Sequence, residues 1–140
     1  MTKIIIAAHG NIAEHLLNAV KNLTGEIENI RAINFLTHQS LDDLKNSLGT
    51  AVAERSGEDI FILTDFLGGS PCNCACRLLP GKNMWVVSGV NLPMLLELIT
   101  KRDKIPPEQL CSEIIKAGRE SIVDVKAKFV SRINTKRAEQ

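Results

Sequence analysis

The 140 residues can close one hydrophobic core and are too few for two ordinary domains. Hydrophobic residues make up 44% and charged residues 24%, the balance of a folded globular chain rather than a disordered one. Basic and acidic side chains (17 against 16) leave a formal charge of +1, and with Tyr absent this excludes both the basic face of a general nucleic-acid binder and a base-stacking platform.

The first apolar run, residues 3–8 (KIIIAA), is too short for a membrane span or a secretory core and predicts a buried strand ending at His9-Gly10. The expectation is a cytoplasmic protein whose four cysteines, Cys72, Cys74, Cys76 and Cys111, are reduced thiols. Ile12, Leu16, Val20 and Leu23 then recur at helical spacing, with His15 on the surface of that helix and Gly25 as its stop. A second strand follows over 30–35 (IRAINF), and His38 falls in the loop after it. Ser40 is placed to cap a helix carrying Leu41, Leu44, Leu48 and Val52, with Gly57 beyond its end.

The third strand, 60–64 (IFILT), ends at Asp65. Next comes Gly68-Gly69-Ser70-Pro71, in which Ser70 reads as N-cap and Pro71 as the first residue of a helix running to Leu79 before Pro80-Gly81. The fourth strand is 84–88 (MWVVS), with Trp85 in the core. Asn91 or Leu92 with Pro93 opens a helix containing Leu95, Leu96 and Ile99, and Pro106-Pro107 opens another through Leu110, Ile114 and Ile115. Residues 126–140 hold Lys126, Lys128, Arg132, Lys136 and Arg137 against Glu139 alone, which predicts a solvated basic tail after one domain over 1–125.

Strands alternating with helices imply an α/β fold, and near-continuous Ile and Val runs imply a parallel sheet covered on both faces. In a flavodoxin-like open sheet of strand order 2-1-3-4, the strand order reverses between the first and third strands, and sites form outside their carboxyl ends. His9 and Asp65 stand at those two ends. A carboxylate that accepts one imidazole N–H fixes which ring nitrogen is left to attack, and here it would also stabilise the positive ring formed when that nitrogen attacks phosphorus. Gly10 leaves backbone room beside the ring. Gly68, Gly69 and Ser70 lead into a helix N-terminus whose N–H groups and dipole suit phosphoryl oxygens. Cys72, Cys74 and Cys76 do not make a metal site, because i and i+4 share a helix face while i+2 points away. No metal or cofactor is expected.

His9-Gly10, the stretch Thr64-Asp65-Phe66-Leu67-Gly68-Gly69-Ser70-Pro71-Cys72-Asn73 and Gly89-Val90-Asn91-Leu92-Pro93-Met94-Leu95 together resemble enzyme IIA of the mannose class of the bacterial sugar phosphotransferase system, over residues 1 to about 125. The resemblance implies that His9 is the phosphorylated histidine, that Asp65 is the carboxylate bonded to its other ring nitrogen, and that Ser70 lies near the phosphoryl group. It implies phosphoryl transfer from the carrier protein HPr to an enzyme IIB subunit, which serves a membrane sugar permease complex. It also implies a homodimer in which an antiparallel C-terminal strand, 122–125 here, is exchanged into the partner's sheet. Cys72 departs from the family, where an aromatic residue is usual, and no enzyme IIB domain follows, so a stand-alone subunit is expected. Two alternatives share the fold: a phosphotransfer subunit feeding a dihydroxyacetone kinase, and a regulatory module without chemistry.

Overall fold

The computed structural model describes residues 1–54, 57–79 and 83–139. The expected helix stop at Pro80-Gly81 lies outside the described residues. Four parallel strands, β1 (Lys3–His9), β2 (Ile30–Phe35), β3 (Ile60–Thr64) and β4 (Met84–Ser88), form one sheet in the order β2-β1-β3-β4. This is the expected order, and it puts the reversal between β1 and β3. Strand β1 runs one residue further than the apolar run predicts, because His9 is still in register with Phe35 of β2.

Side chains of β1 alternate between two cores, as the pleat requires. Ile4, Ile6 and Ala8 join Phe61, Leu63 and Val87 under helices α1 (Ile12–Thr24), α4 (Leu92–Lys101) and α5 (Pro107–Glu120). Ile5 and Ala7 join Ile33, Ile60 and Ile62 under α2 (Leu41–Ala53) and α3 (Ser70–Cys76). Ile4, Ile5 and Ile6 are wholly buried, worth about 1.5–3 kcal/mol each in transfer terms. That burial makes β1 the fixed central strand on which His9 is carried. Trp85 is half-buried and stacks on Phe61 with ring centroids 5.3 Å apart.

The helix starts follow local chemistry. Ser40 and Asp43 form a reciprocal capping box, with Asp43 N–H donating to Ser40 Oγ at 3.1 Å and Ser40 N–H donating to Asp43 Oδ2 at 2.9 Å. Asn91 caps α4 by accepting from Met94 N–H at 3.0 Å, and its amide nitrogen reaches Gly118 O on α5 at 3.2 Å. The start of α3 differs from expectation by one residue: extended Gly69 is the N-cap and Ser70 is already helical. The helix also stops at Cys76 instead of Leu79. Leu78 N–H and Leu79 N–H bond three residues back, to Ala75 O and Cys76 O, so the chain tightens into turns.

The C-terminal region is a correction. The stretch expected as a solvated basic tail is helical over 126–138 as part of α6 (Val125–Ala138), capped by Asp124, which accepts from Ala127 N–H at 3.0 Å. No residue of α6 is buried in the single chain. The expected strand over 122–125 is not in the sheet, and Val125 instead opens α6. An exchanged strand draws its hydrogen bonds from a second copy, so a single chain leaves this segment to its local preference.

Candidate functional site

The ends of β1 and β3 bring His9 and Asp65 together across 56 residues of sequence. Asp65 Oδ2 accepts twice from His9, from the backbone N–H at 3.0 Å and from ring Nδ1 at 2.7 Å. Two bonds to one oxygen fix the ring's orientation as well as its position. The His9 side chain is 37% exposed and Asp65 only 13%. Burial is the largest influence on the Asp65 carboxyl and pushes it up. The hydrogen bonds from the His9 backbone and ring, the His9 charge and a bond from the backbone at Asp65 together outweigh it and hold the group below its ordinary value. An ionised carboxylate can only accept, so Nδ1 carries the proton and Nε2 keeps its lone pair. A nitrogen nucleophile with a defined direction of attack is thus available at the carboxyl end of the sheet's strands.

The glycines around the ring serve different ends. Gly10 has φ +55° and donates its N–H to Phe35 O at 2.8 Å, yet a Cβ there would meet nothing within 4 Å. Its left-handed backbone is by itself a reason for glycine here, and the space beside it is open. Gly68 (φ +87°) is alike, and Asn73 Nδ2 pins its carbonyl at 3.1 Å. Gly69 has an ordinary backbone but no spare space: a Cβ would lie 2.8 Å from His9 Cε1 and 3.0 Å from Phe66 Cε1 and Cζ. Of the glycine pair, Gly69 is therefore the residue in contact with the imidazole. Ser70 follows as the half-buried first residue of α3, with no hydrogen bond to His9 or Asp65. Helix α3 has seven residues, and Asn73 is the first whose N–H returns to the cap, at Gly69 O and 2.9 Å. The earlier N–H groups are those a helix start leaves for an anion.

Two aromatic neighbours were missed in the sequence. Phe66 stacks on the imidazole with centroids 5.0 Å apart and planes inclined by 20°, and Phe35 meets it edge-on at 6.0 Å and 63°. Phe35 had a signal, since parallel register puts the last residue of β2 opposite the last of β1. Phe66 had only its place beside Asp65. His38 and His15 are exposed, and no ring contact or ion pair links either to His9. All four cysteines are free thiols, with Cys72 and Cys74 buried and Cys76 exposed. Although Cys76 is exposed as a residue, partial desolvation of its sulfur and then the neighbouring Cys72 thiol push it up. Among the described residues no group of three or more His, Cys, Asp or Glu is placed to hold a metal ion, and no helix is long and apolar enough to cross a membrane.

Comparison with known proteins points the same way. A family model described as PTS system fructose IIA component matches residues 3–115. The PTS system mannose-specific EIIAB component of Escherichia coli is 35% identical over 132 residues, which are 92% of this chain and 41% of that protein. The chain thus spans about two fifths of the length of that relative. The PTS system sorbose-specific EIIA component of Lacticaseibacillus casei is 29% identical over 130 residues, covering 92% of this chain and 94% of that protein. The crystal structure of phosphotransferase system component EIIA from Streptococcus agalactiae superposes with a TM-score of 0.84 at 33% identity, covering 91% of this chain and 99% of that one.

Proposed function

We propose that this chain, which belongs to the mannose-class enzyme IIA family of the sugar phosphotransferase system, takes a phosphoryl group from phosphorylated HPr onto His9 and passes it to an enzyme IIB protein. The observation that carries the reading is the 2.7 Å contact of His9 Nδ1 with Asp65 Oδ2, at a strand end where the other ring nitrogen can reach a partner. In the forward step the Nε2 lone pair becomes the bond to phosphorus and the bond from phosphorus to the donor breaks. The proton stays on Nδ1, where Asp65 balances the positive ring. The backbone N–H groups of Gly68 and Ser70 are offered to the phosphoryl oxygens, while the N–H of Gly69 is turned to Phe66 O at 3.4 Å. Delivery to enzyme IIB reverses these steps. No cofactor takes part.

The family supports a cytoplasmic protein that works as a homodimer and serves a membrane permease only through enzyme IIB. The exposed apolar pair Ile122-Val123 supports the dimer. Incubation with phosphorylated HPr is the test. The wild type gains an acid-labile, base-stable phosphoryl group on His9, and His9→Ala gains none. A His9→Ala protein that labels at the wild-type rate overturns the reading.

A further inference from the structure

The transfer steps above leave one contact unused. Phe66 is 54% exposed, so its stack on His9 is not imposed by burial in the core. Two features hold it there. Asp65, whose Oδ2 grips the imidazole, takes the Phe66 backbone N–H on Oδ1 at 3.2 Å, so one carboxylate sets both rings. Gly69 supplies the common floor, since a Cβ there would press on both ring edges at once. The phenyl group covers one face of the imidazole, while the imidazole side chain as a whole remains 37% exposed.

We propose that Phe66 is a positioning residue for His9 that favours the phosphorylated state, because its π face lies against a ring that becomes cationic when Nε2 takes the phosphoryl group. This rests on the reading of His9 as acceptor. The attacking imidazole carries one proton, on Nδ1, and a lone pair on Nε2. Once the N–P bond forms, that proton stays and the ring carries positive charge, balanced in its plane by Asp65 and above its face by the negative face of the phenyl quadrupole. The stack is therefore stronger after transfer than before, and only such a difference shifts an equilibrium. At an exposed site the cation–π contribution amounts to about a two- to fivefold effect.

The test loads His9 in two ways. Phosphoramidate, a small donor, needs no partner: Nε2 attacks phosphorus, the P–N bond of the donor breaks and ammonia leaves. Phosphorylated HPr supplies the second route. Wild type, Phe66→Leu and Phe66→Tyr are compared for phosphohistidine lifetime by phosphorus NMR, for the equilibrium of phosphoryl groups with HPr, and for the chemical shifts of the His9 ring protons. In Phe66→Leu, which keeps apolar bulk but loses the π face, phosphohistidine decays about two- to fivefold faster. The equilibrium moves toward HPr by a similar factor, and the His9 protons lose their upfield ring-current shift. Phe66→Tyr restores all three. A Phe66→Leu protein with wild-type lifetime and equilibrium overturns the proposal, even if the proton shifts change. Wild-type protein that phosphoramidate does not modify at His9 overturns the acceptor reading and this proposal together. Loading by phosphoramidate but not by HPr overturns only the choice of donor, and the lifetimes then decide the role of Phe66.

Discussion

An imidazole that attacks phosphorus needs its lone pair on a chosen nitrogen, and at His9 that choice rests on Asp65 alone. Asp65→Asn keeps the shape of the contact but lets an amide donate, which favours the opposite tautomer and removes the charge facing the cationic ring. Comparable changes in hydrolytic triads cost about ten-thousandfold in rate, so single-turnover transfer from phosphorylated HPr should fall by at least about a hundredfold with an unchanged circular dichroism spectrum. If the Asn variant reaches half the wild-type rate, Asp65 is not the orienting group. The acid dependence has a definite sign. The Asp65 carboxyl is held below its ordinary value, so the grip is complete above that value and is lost as pH falls through the lowered one. Wild-type transfer then has an acid limb from this group that Asp65→Asn lacks. The glycines separate stability from activity. Gly10→Ala places a side chain at φ +55° with nothing to strike, so it costs about 1–2 kcal/mol of folding stability and leaves the ring in place. Gly69→Ala strikes the ends of two movable rings, so the fold survives while a ring displaced by the order of 1 Å loses about a hundredfold in transfer. Thermal melts and single-turnover rates on the two variants should show opposite patterns, and equal rates would refute the contact argument.

At the scale of elements, the end of the sheet opposite the site is closed by a clamp that no local pattern announces. Thr2 donates both its backbone N–H and its hydroxyl to Asp103 Oδ1, each at 2.8 Å, across 101 residues. Arg102, just after α4, donates to Thr2 O at 3.2 Å and to Glu28 O at 2.6 Å. Asp103 itself sits at φ +63°. Burial is the largest influence on its carboxyl and pushes it up, but the Thr2 bonds, the N-terminal charge and Arg102 together hold it low. Asp103→Ala loses both bonds and keeps the strained backbone, a cost of about 2 kcal/mol. Asp103→Asn keeps an acceptor and tolerates the left-handed region, so it should lose less. Because the folded carboxyl is depressed, its stabilisation is present above the ordinary carboxyl value and lost as pH falls through the lowered one. Urea midpoints measured from pH 7 to pH 3 should show a shallower acid decline in the Asn variant, and parallel declines would count against the charge. The clamp also shows what was legible. The four strands could be read because each is a buried apolar run, and the starts of α2 and α4 because Ser40 and Asn91 advertise their caps. His9, Asp65 and the glycine pair could be read because topology places strand ends together. Thr2–Asp103 and the stack of Phe66 on His9 could not, since each depends on side chains meeting in space without a periodic signal. The end of α3 was misjudged because hydrogen bonding shifts to three-residue spacing after Cys76, which residue types alone do not reveal.

For the whole molecule, the uneven feature is the C-terminal region. The cores on the two faces of the sheet are closed, yet Ile122, Val123, Val125, Phe129 and Val130 all stand exposed within nine residues. Single exposed apolar residues are ordinary, but a group this close in sequence is the kind of surface that an interface would cover. Among the described residues no strand pairs with the outer edge of β4, because the order ends there. A second copy of the chain could answer both needs reciprocally, since a two-fold interface lets each segment meet the other copy's edge. The expected outcome of light scattering at micromolar concentration is therefore twice the chain mass. Replacing Ile122 and Val123 together by Asp puts two charges where the interface would be dry, at positions that are exposed in the single chain and support no core. That double variant should sediment as a monomer and keep a native circular dichroism spectrum. Phosphoryl transfer onto His9 should survive in the monomer, because His9, Asp65 and Gly69 all come from one chain. A wild-type protein of monomer mass would refute the dimer. A dimeric Asp variant would place its contact elsewhere. A monomeric variant that cannot be phosphorylated would mean the site needs the second copy, against the geometry of a single chain.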